Sequence, residues 1–553
     1  MKNKLRYLIL SLLSLVGCIS NDLPYPVLVP SIVSVSVEGA KDVEIDNASR
    51  VITVYLEEYV DLKNVIVKSI EVDTEMAEIS SGMVGTHDLS SPYRFTIRTY
   101  SQYDWKLVAV KIIERYFTVE GQIGSTVIDE VNHRAMVTVG KDVDIKNITV
   151  TSLKLGPEGL SDYSVDMSQM KDFSHGISVE VTSFGQTDVW NLYVVNTEVT
   201  VDISKINPWA REAYVSALGS ADQDNGFRYR AVGTSEWIEV EQEAITSGGG
   251  TFVAHITGLD PETDYEVVAY SGDDETSPWE FSTEAAPMIP NGSFEYASKV
   301  AGKDYYKFYD PSCGIEDGMF MFWGSGNGEG DEGVSGSANM GIVITYIDTD
   351  DKVDGKQSVR AQTSQMAGIL AAGNLFTGQF AGLVGTSGGM VNFGRPWTAR
   401  PKALKLYCKY VTDKMDIIKG SPAGVTLTKE DYDRAEIKFA LGDWDYRKYG
   451  GTSESPVHIN TTDSRTFIDY NSDASTIANG GLIIHHDGYI LNGEAKVQAT
   501  TNEWIEYTIP LNYHDIERLP THIIISCAAS QFGDYFTGYS KSKLWIDAVE
   551  LIY

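Results

Sequence analysis

Apolar and polar residues alternate with a period of two along much of the chain, as at Val33, Val35 and Val37 and again in Leu544-Trp545-Ile546-Asp547-Ala548-Val549-Glu550-Leu551. Successive side chains of a strand point to opposite faces, so this pattern predicts strands with one buried face. Clusters of Gly, Asn, Asp and Pro punctuate the runs and predict turns. The fold class expected is therefore all-β, with tandem small β-sandwiches and a larger C-terminal one. A single run breaks the pattern. Tyr7 to Val16 is apolar, follows Lys2, Lys4 and Arg6, and closes on Leu15-Val16-Gly17-Cys18. A basic start and a short apolar stretch make a secretory signal, too short to span a bilayer as a mature helix.

The alternating region repeats itself after about 83 residues, a period within the range of domains rather than solenoid units. Val37-Glu38-Gly39 returns as Val119-Glu120-Gly121, and Asp61-Leu62-Lys63-Asn64-Val65 as Asp144-Ile145-Lys146-Asn147-Ile148. Trp105-Lys106-Leu107-Val108 returns as Trp190-Asn191-Leu192-Tyr193. A Trp at strand period fills the gap between packed sheets. Two immunoglobulin-like sandwiches are expected, at 31–115 and 116–200, serving as spacers. In the next unit, 201–287, Leu259-Asp260-Pro261-Glu262-Thr263-Asp264-Tyr265 precedes the strand Glu266-Val267-Val268-Ala269-Tyr270. This resembles the tyrosine corner of fibronectin type III domains, which implies that Tyr265 hydrogen-bonds the nearby backbone.

The N-terminal Gly17-Cys18 resembles the lipobox of bacterial lipoproteins. That resemblance implies loss of 1–17, lipidation of Cys18, and a tether over 18–30 stiffened by Pro24, Pro26 and Pro30. An outer-membrane lipoprotein held by lipid alone is the expectation, and Asp22 alone does not discriminate surface from periplasmic display. A net charge of -33 argues against nucleic acid, whose phosphates need a basic face, and favours neutral ligands. Cys313, Cys408 and Cys527 match no zinc or redox spacing, allow at most one disulfide, and read as buried small residues.

From about residue 288 to Tyr553 the texture changes to Gly-rich loops between strands. Asn291-Gly292-Ser293-Phe294-Glu295 and the closing Ile546-Asp547-Ala548-Val549-Glu550-Leu551 resemble the ends of jelly-roll carbohydrate-binding modules. With Phe322-Trp323-Gly324-Ser325-Gly326-Asn327 and Ser526 to Gly538, the segment resembles a Bacteroidota family called the putative carbohydrate metabolism domain. The resemblance implies a jelly-roll-like β-sandwich and a glycan context, and no agreed reaction. It requires no cofactor, although jelly-roll modules often hold a structural calcium, for which Glu295 and Asp547 are the matching acidic residues. Asp348 to Gly355 superficially resembles an EF-hand loop but lacks its sixth-position glycine and twelfth-position Glu, and reads as a solvated turn.

Sugar recognition needs flat aromatic faces and planar polar groups. Gly442-Asp443-Trp444-Asp445-Tyr446-Arg447 offers both, with Trp444 and Tyr446 for stacking and Asp443 and Arg447 for hydroxyls. Trp323, Trp397 and Tyr535 are further candidates; core packing is the competing role for each. A glycoside-cleaving alternative would use Asp443 and Asp445, which on a strand share one face. His485-His486-Asp487 is expected to be unable to hold one metal, because adjacent strand residues face apart, and Asp487-Gly488 reads as a hairpin turn. The principal expectation is an envelope-anchored lipoprotein that binds a polysaccharide or oligosaccharide, beside a glycan-uptake complex. A glycosidase and an adhesin or structural shaft are the alternatives.

Overall fold

The computed structural model describes residues 28–47, 49–308, 322–328, 335–366, 368–385, 388–422, 424–498 and 502–553. The signal segment 1–17, Cys18, most of the tether and Cys313 lie outside the described residues. Among the described residues no helix is long and apolar enough to cross a membrane. The molecule is all-β, with short helical turns between strands.

The first unit packs a three-stranded sheet against a five-stranded one, around Trp105, Ile52, Val54 and Leu107. The second packs a two-stranded sheet against a five-stranded one around Trp190, with Phe117 and Leu192. The equivalence extends to register. Val51–Leu56 runs parallel to Gln102–Lys111, pairing Val51 with Lys106. Arg134–Gly140 likewise runs parallel to Gln186–Thr197, pairing Arg134 with Asn191. Each Trp therefore precedes the same parallel pairing and is fully buried, 1% exposed at Trp105 and 2% at Trp190. The third unit packs four strands on five around Phe227 and Phe252. Its tyrosine corner is formed: the Asp260 N–H donates to the Tyr265 hydroxyl at 2.9 Å.

The C-terminal unit is a larger sandwich of an eleven-stranded and a five-stranded sheet. In the larger sheet Ala435–Gly442 is central, flanked by His522–Ala528 and Thr476–His485. Ile437, Phe439 and Leu441 enter the core, with Leu482, Ile525 and Cys527 from the neighbours. Cys408 and Cys527 are buried free thiols in this core. Burial pushes Cys527 up to about 12 and Cys408 well above its ordinary value, so both behave as apolar packing groups.

The joints between units are bridged. Lys154 meets Glu58 at 3.0 Å across the first. At the second, Gly124 N–H donates to Gly250 O at 2.8 Å and Ala221 N–H to Gln122 O at 3.0 Å. The third is the most elaborate. Arg400, 2% exposed, donates to Glu284 at 2.6 Å, to Ile516 O at 2.6 Å and to Pro208 O at 2.7 Å. Its guanidinium lies 4.6 Å from the Trp209 ring, which in turn packs on Tyr513. A charge this deeply placed is tolerated because its donors are taken up by acceptors. Burial pushes the Glu284 carboxyl up against the opposing pull of Arg400. Arg400→Ala strands Glu284 and two carbonyls, so it should lower stability by about 3 kcal/mol in urea unfolding and open the 283–290 link to protease.

Candidate functional site

Because Ala435–Gly442 alternates, the residues between its core side chains must lie on the opposite face. These are Glu436, Lys438 and Ala440, of which Ala440 is covered by the Trp444 cluster and the two charged residues are left to form a floor. Register fixes their neighbours: Glu436 lies between Ala528 and Ile483, and Lys438 between Ser526 and Gly481. Gly481 carries no side chain, which leaves the floor beside Lys438 low. Over this floor stand two walls, the loop Phe467–Asn471 and the turn Gln531–Asp534.

Between the walls runs a groove of connected hollows. One, of about 140 Å³, holds Glu436, Lys438, Ser526, Gln531 and Asp534 against Phe376, Phe393 and Phe467. The next, of about 330 Å³, shares Glu436, Lys438 and Tyr470 and adds Asp469, Asn471, Asn479, Asn492 and Asn512. A third, about 250 Å³ and largely apolar, continues past Asp534 to Phe380, Leu383 and Phe536. Glu436 accepts from Gln531 Nε2 at 3.1 Å and from Lys438 Nζ at 3.1 Å. Removal from water in the cleft pushes the Lys438 ammonium down, but Glu436 and Asp534 outweigh that and leave it raised. Asp534 stands exposed at the rim of this cleft, yet the crowding of protein around it and Glu436 push its carboxyl up, with Lys438 opposing. The amides are oriented: Asn479 donates to Asn471 at 2.8 Å, and Asn492 Oδ1 accepts from Gly481 N–H at 2.8 Å.

The expected stacking residues have other places. Trp444 is 2% exposed and packs with Tyr470, Val457, Ile459 and Ile524 beneath the groove wall. Gly442 permits this, because a Cβ there would meet the Trp444 ring at 2.6 Å. Trp444 Nε1 donates to Asp473 at 3.0 Å, and its ring meets Tyr470 edge-on. It supports the wall and offers no face to solvent. Trp323 and Trp397 are likewise buried in the sandwich core, and Trp323 Nε1 donates to Pro290 O at 2.9 Å. Tyr535 is half-buried and edge-on to Phe467.

Asp443 and Asp445 share no strand face, because the strand ends at Gly442. Asp443 pairs with Arg518 at 2.6 Å, and Asp445 caps the one-turn helix Tyr446–Tyr449 by accepting from Arg447 N–H at 3.0 Å. Tyr446 and Arg447 are exposed on that helix and are not among the groove residues.

Glu295 and Asp547, the residues expected to hold calcium, are both engaged by backbone donors. Asp547 is buried and accepts from the N–H groups of Val353 and Ala548 at 2.8 Å and Asp354 at 3.2 Å. Glu295 accepts from Lys356 N–H at 2.9 Å and Gln357 N–H at 3.3 Å. The 353–357 loop supplies donors to Asp547 Oδ2 and to Glu295 Oε1, and Ala548 on the last strand supplies one to Asp547 Oδ1. Asp348, the last residue of the strand Thr345–Asp348 that leads into that loop, is more buried than a solvated turn predicts and accepts from Arg360 and Trp545.

His485-His486-Asp487 departs from expectation in the other direction. The turn residues are His486 and Asp487, since His485 pairs with Gly488 across the hairpin. The chain turns at His486 and Asp487, and both histidine rings approach Asp487.

The turn that carries Asp534 is held from beneath by Asp433. This fully buried carboxylate accepts from Ser530 Oγ at 2.6 Å, Ser542 Oγ at 2.8 Å and Tyr539 N–H at 2.8 Å. The sequence signals for this site are the polar residues alternating through Ala-Glu-Ile-Lys-Phe and the Ser526 to Gly538 block. The walls close only through long-range packing that no local pattern reports.

Residues 293–552 match the family described as the putative carbohydrate metabolism domain. No curated protein matches the chain. Among solved structures, a putative glycoside hydrolase from Bacteroides thetaiotaomicron is 15% identical over 96% of this chain and 98% of its own, with a TM-score of 0.28. A putative glycoside hydrolase from Bacteroides vulgatus is 18% identical over 48% of this chain and 97% of its own, with a TM-score of 0.31. A surface glycan-binding protein from Prevotella bryantii is 12% identical over 68% and 81%, with a TM-score of 0.16.

Two outcomes test this geometry. Trp444→Ala should cost about 3–5 kcal/mol in chemical denaturation, the scale of emptying a packed Trp site. Burial pushes the Asp433 carboxyl up to about 6, against its hydrogen bonds, from an ordinary value of 3.8. The folded state then holds that proton more tightly than the unfolded chain. The resulting stability is fully present below 3.8 and lost as pH rises through about 6. Unfolding measured from pH 3.5 to 7 should show a loss of about 3 kcal/mol that Asp433→Asn removes.

Proposed function

We propose that the chain is an envelope-anchored lipoprotein whose C-terminal sandwich binds a polysaccharide or oligosaccharide in the groove over Glu436 and Lys438. The observation that carries this reading is the groove itself. It sets planar amides and one ammonium between aromatic walls, on the face of the module whose sequence matches a carbohydrate family. Asn479, Asn492 and Lys438 suit sugar hydroxyls, and Tyr470 and Phe467 supply the apolar edge for pyranose C–H groups. The acidic surface favours a neutral glycan over an anionic one. Binding is weak per contact, since sugar hydroxyls exchange water bonds for protein bonds. The lipobox-like Gly17-Cys18 supports anchoring by lipid at the outer membrane, and the three smaller sandwiches serve as the stalk. A neighbouring glycan-uptake complex is the partner this arrangement would supply.

Glycoside cleavage is the second reading, and it moves from Asp443 and Asp445 to Glu436 and Asp534. Two carboxyls in one cleft, one of them raised, are the pattern of an acid and its partner. Native gels cast with soluble polysaccharides separate the readings. Binding predicts retardation by at least one glycan, weakened tenfold or more by Lys438→Met and by Asn479→Ala. Cleavage predicts shortened product that disappears in Asp534→Asn while retardation persists. Uniform migration of the wild-type chain across a broad panel would favour a structural shaft.

A further inference from the structure

The hairpin at the end of the central strands brings together three groups that the glycan reading does not use. Thr476–His485 pairs antiparallel with Gly488–Leu491, leaving His486 and Asp487 as the connecting turn. One ligand atom from each of His485, His486 and Asp487 lies within 4.8 Å of the others. Among the described residues no other group of three metal-ligating side chains gathers this closely. His485 Nδ1 is 2.6 Å from Asp487 Oδ1, and His486 Nδ1 is 3.4 Å from the same oxygen. A carboxylate facing two imidazole nitrogens holds them in one place and supplies the negative charge a dication needs. The His486 ring stacks on Tyr432 at 3.8 Å with only 10° between planes, which fixes its orientation.

We propose that His485, His486 and Asp487 form a binding site for a transition metal of the Zn²⁺ class. Two imidazoles and one carboxylate suit Zn²⁺, whereas Ca²⁺ and Mg²⁺ prefer oxygen alone. Ligand atoms at about 2.0–2.2 Å from a tetrahedral ion stand roughly 3.3–3.6 Å apart, so His486 Nδ1 already lies at that spacing from Asp487 Oδ1, while the His485–Asp487 hydrogen bond has to open by a small side-chain rotation to admit the ion. Three protein ligands leave at least one position for water or another oxygen. That position has a notable neighbour. Ile483, two residues earlier on the same strand face, lines the groove beside Asn479 and Asn492. The metal would therefore stand about 7 Å beyond the groove residues, at its end.

The test uses the full chain without a polyhistidine tag, titrated with ZnCl₂ alone by calorimetry and by competition with a chromophoric chelator. One equivalent should bind at micromolar affinity. His486→Gln and Asp487→Asn should each weaken it tenfold or more, while His175→Gln, on a distant exposed turn, leaves it unchanged. These variants alter an exposed turn, and circular dichroism confirms their fold. Absence of binding at 100-fold excess of Zn²⁺ over any micromolar affinity would overturn the proposal. So would binding that the His486 and Asp487 variants do not change, since the ion would then sit elsewhere on the acidic surface.

Discussion

The alternation of one central strand governs the C-terminal module. Ala435–Gly442 is hydrogen-bonded on both edges, so neither its register nor its facing can slip without disturbing two neighbours. A shift by one residue would bury Glu436 and Lys438 and expose Ile437 and Phe439. The apolar half of the strand thus enforces the position of the polar half. Core packing and groove chemistry are two faces of a single constraint, and the site needs no separate device to place its charges.

Much of the fold was legible because its causes are local. Period-two alternation, the paired Trp105 and Trp190, and the Tyr265 corner each follow from short stretches whose physics is the same wherever they occur. The candidate site was less legible. Trp444 looked exposed because its neighbours Asp443, Asp445 and Arg447 are polar. Those residues are consumed by an ion pair and a helix cap, and Gly442 lets the ring fold back under Tyr470. Polarity of neighbours therefore misreported the environment of the ring. Similarly, the charges of Glu295 and Asp547 are legible in sequence, but the backbone N–H donors that engage them are not. The groove itself joins residues from several strands with loops distant in sequence, so only its floor had a readable signature.

The walls of the groove depend on buried polar groups rather than on apolar packing alone. Asp433 ties three separate donors in the segment that carries Gln531 and Asp534, and a Cβ at Gly538 would meet its Oδ2 at 2.9 Å. Asp473 joins Trp444 and Tyr449 beneath the other wall. Such networks add little net stability compared with hydrophobic burial, but once satisfied they admit one geometry. The proposed sugar site would profit from that, because misplaced donors cannot replace the water a sugar gives up.

Arg400 has an effect beyond the joint it fills. By fastening the C-terminal sandwich to the third unit through Glu284, Pro208 and Ile516, it removes the swivel that a linker alone would leave. Under the proposed function, a long ligand in the groove would take its heading from the three smaller units, and the orientational entropy of aligning the two would be spent during folding rather than at binding.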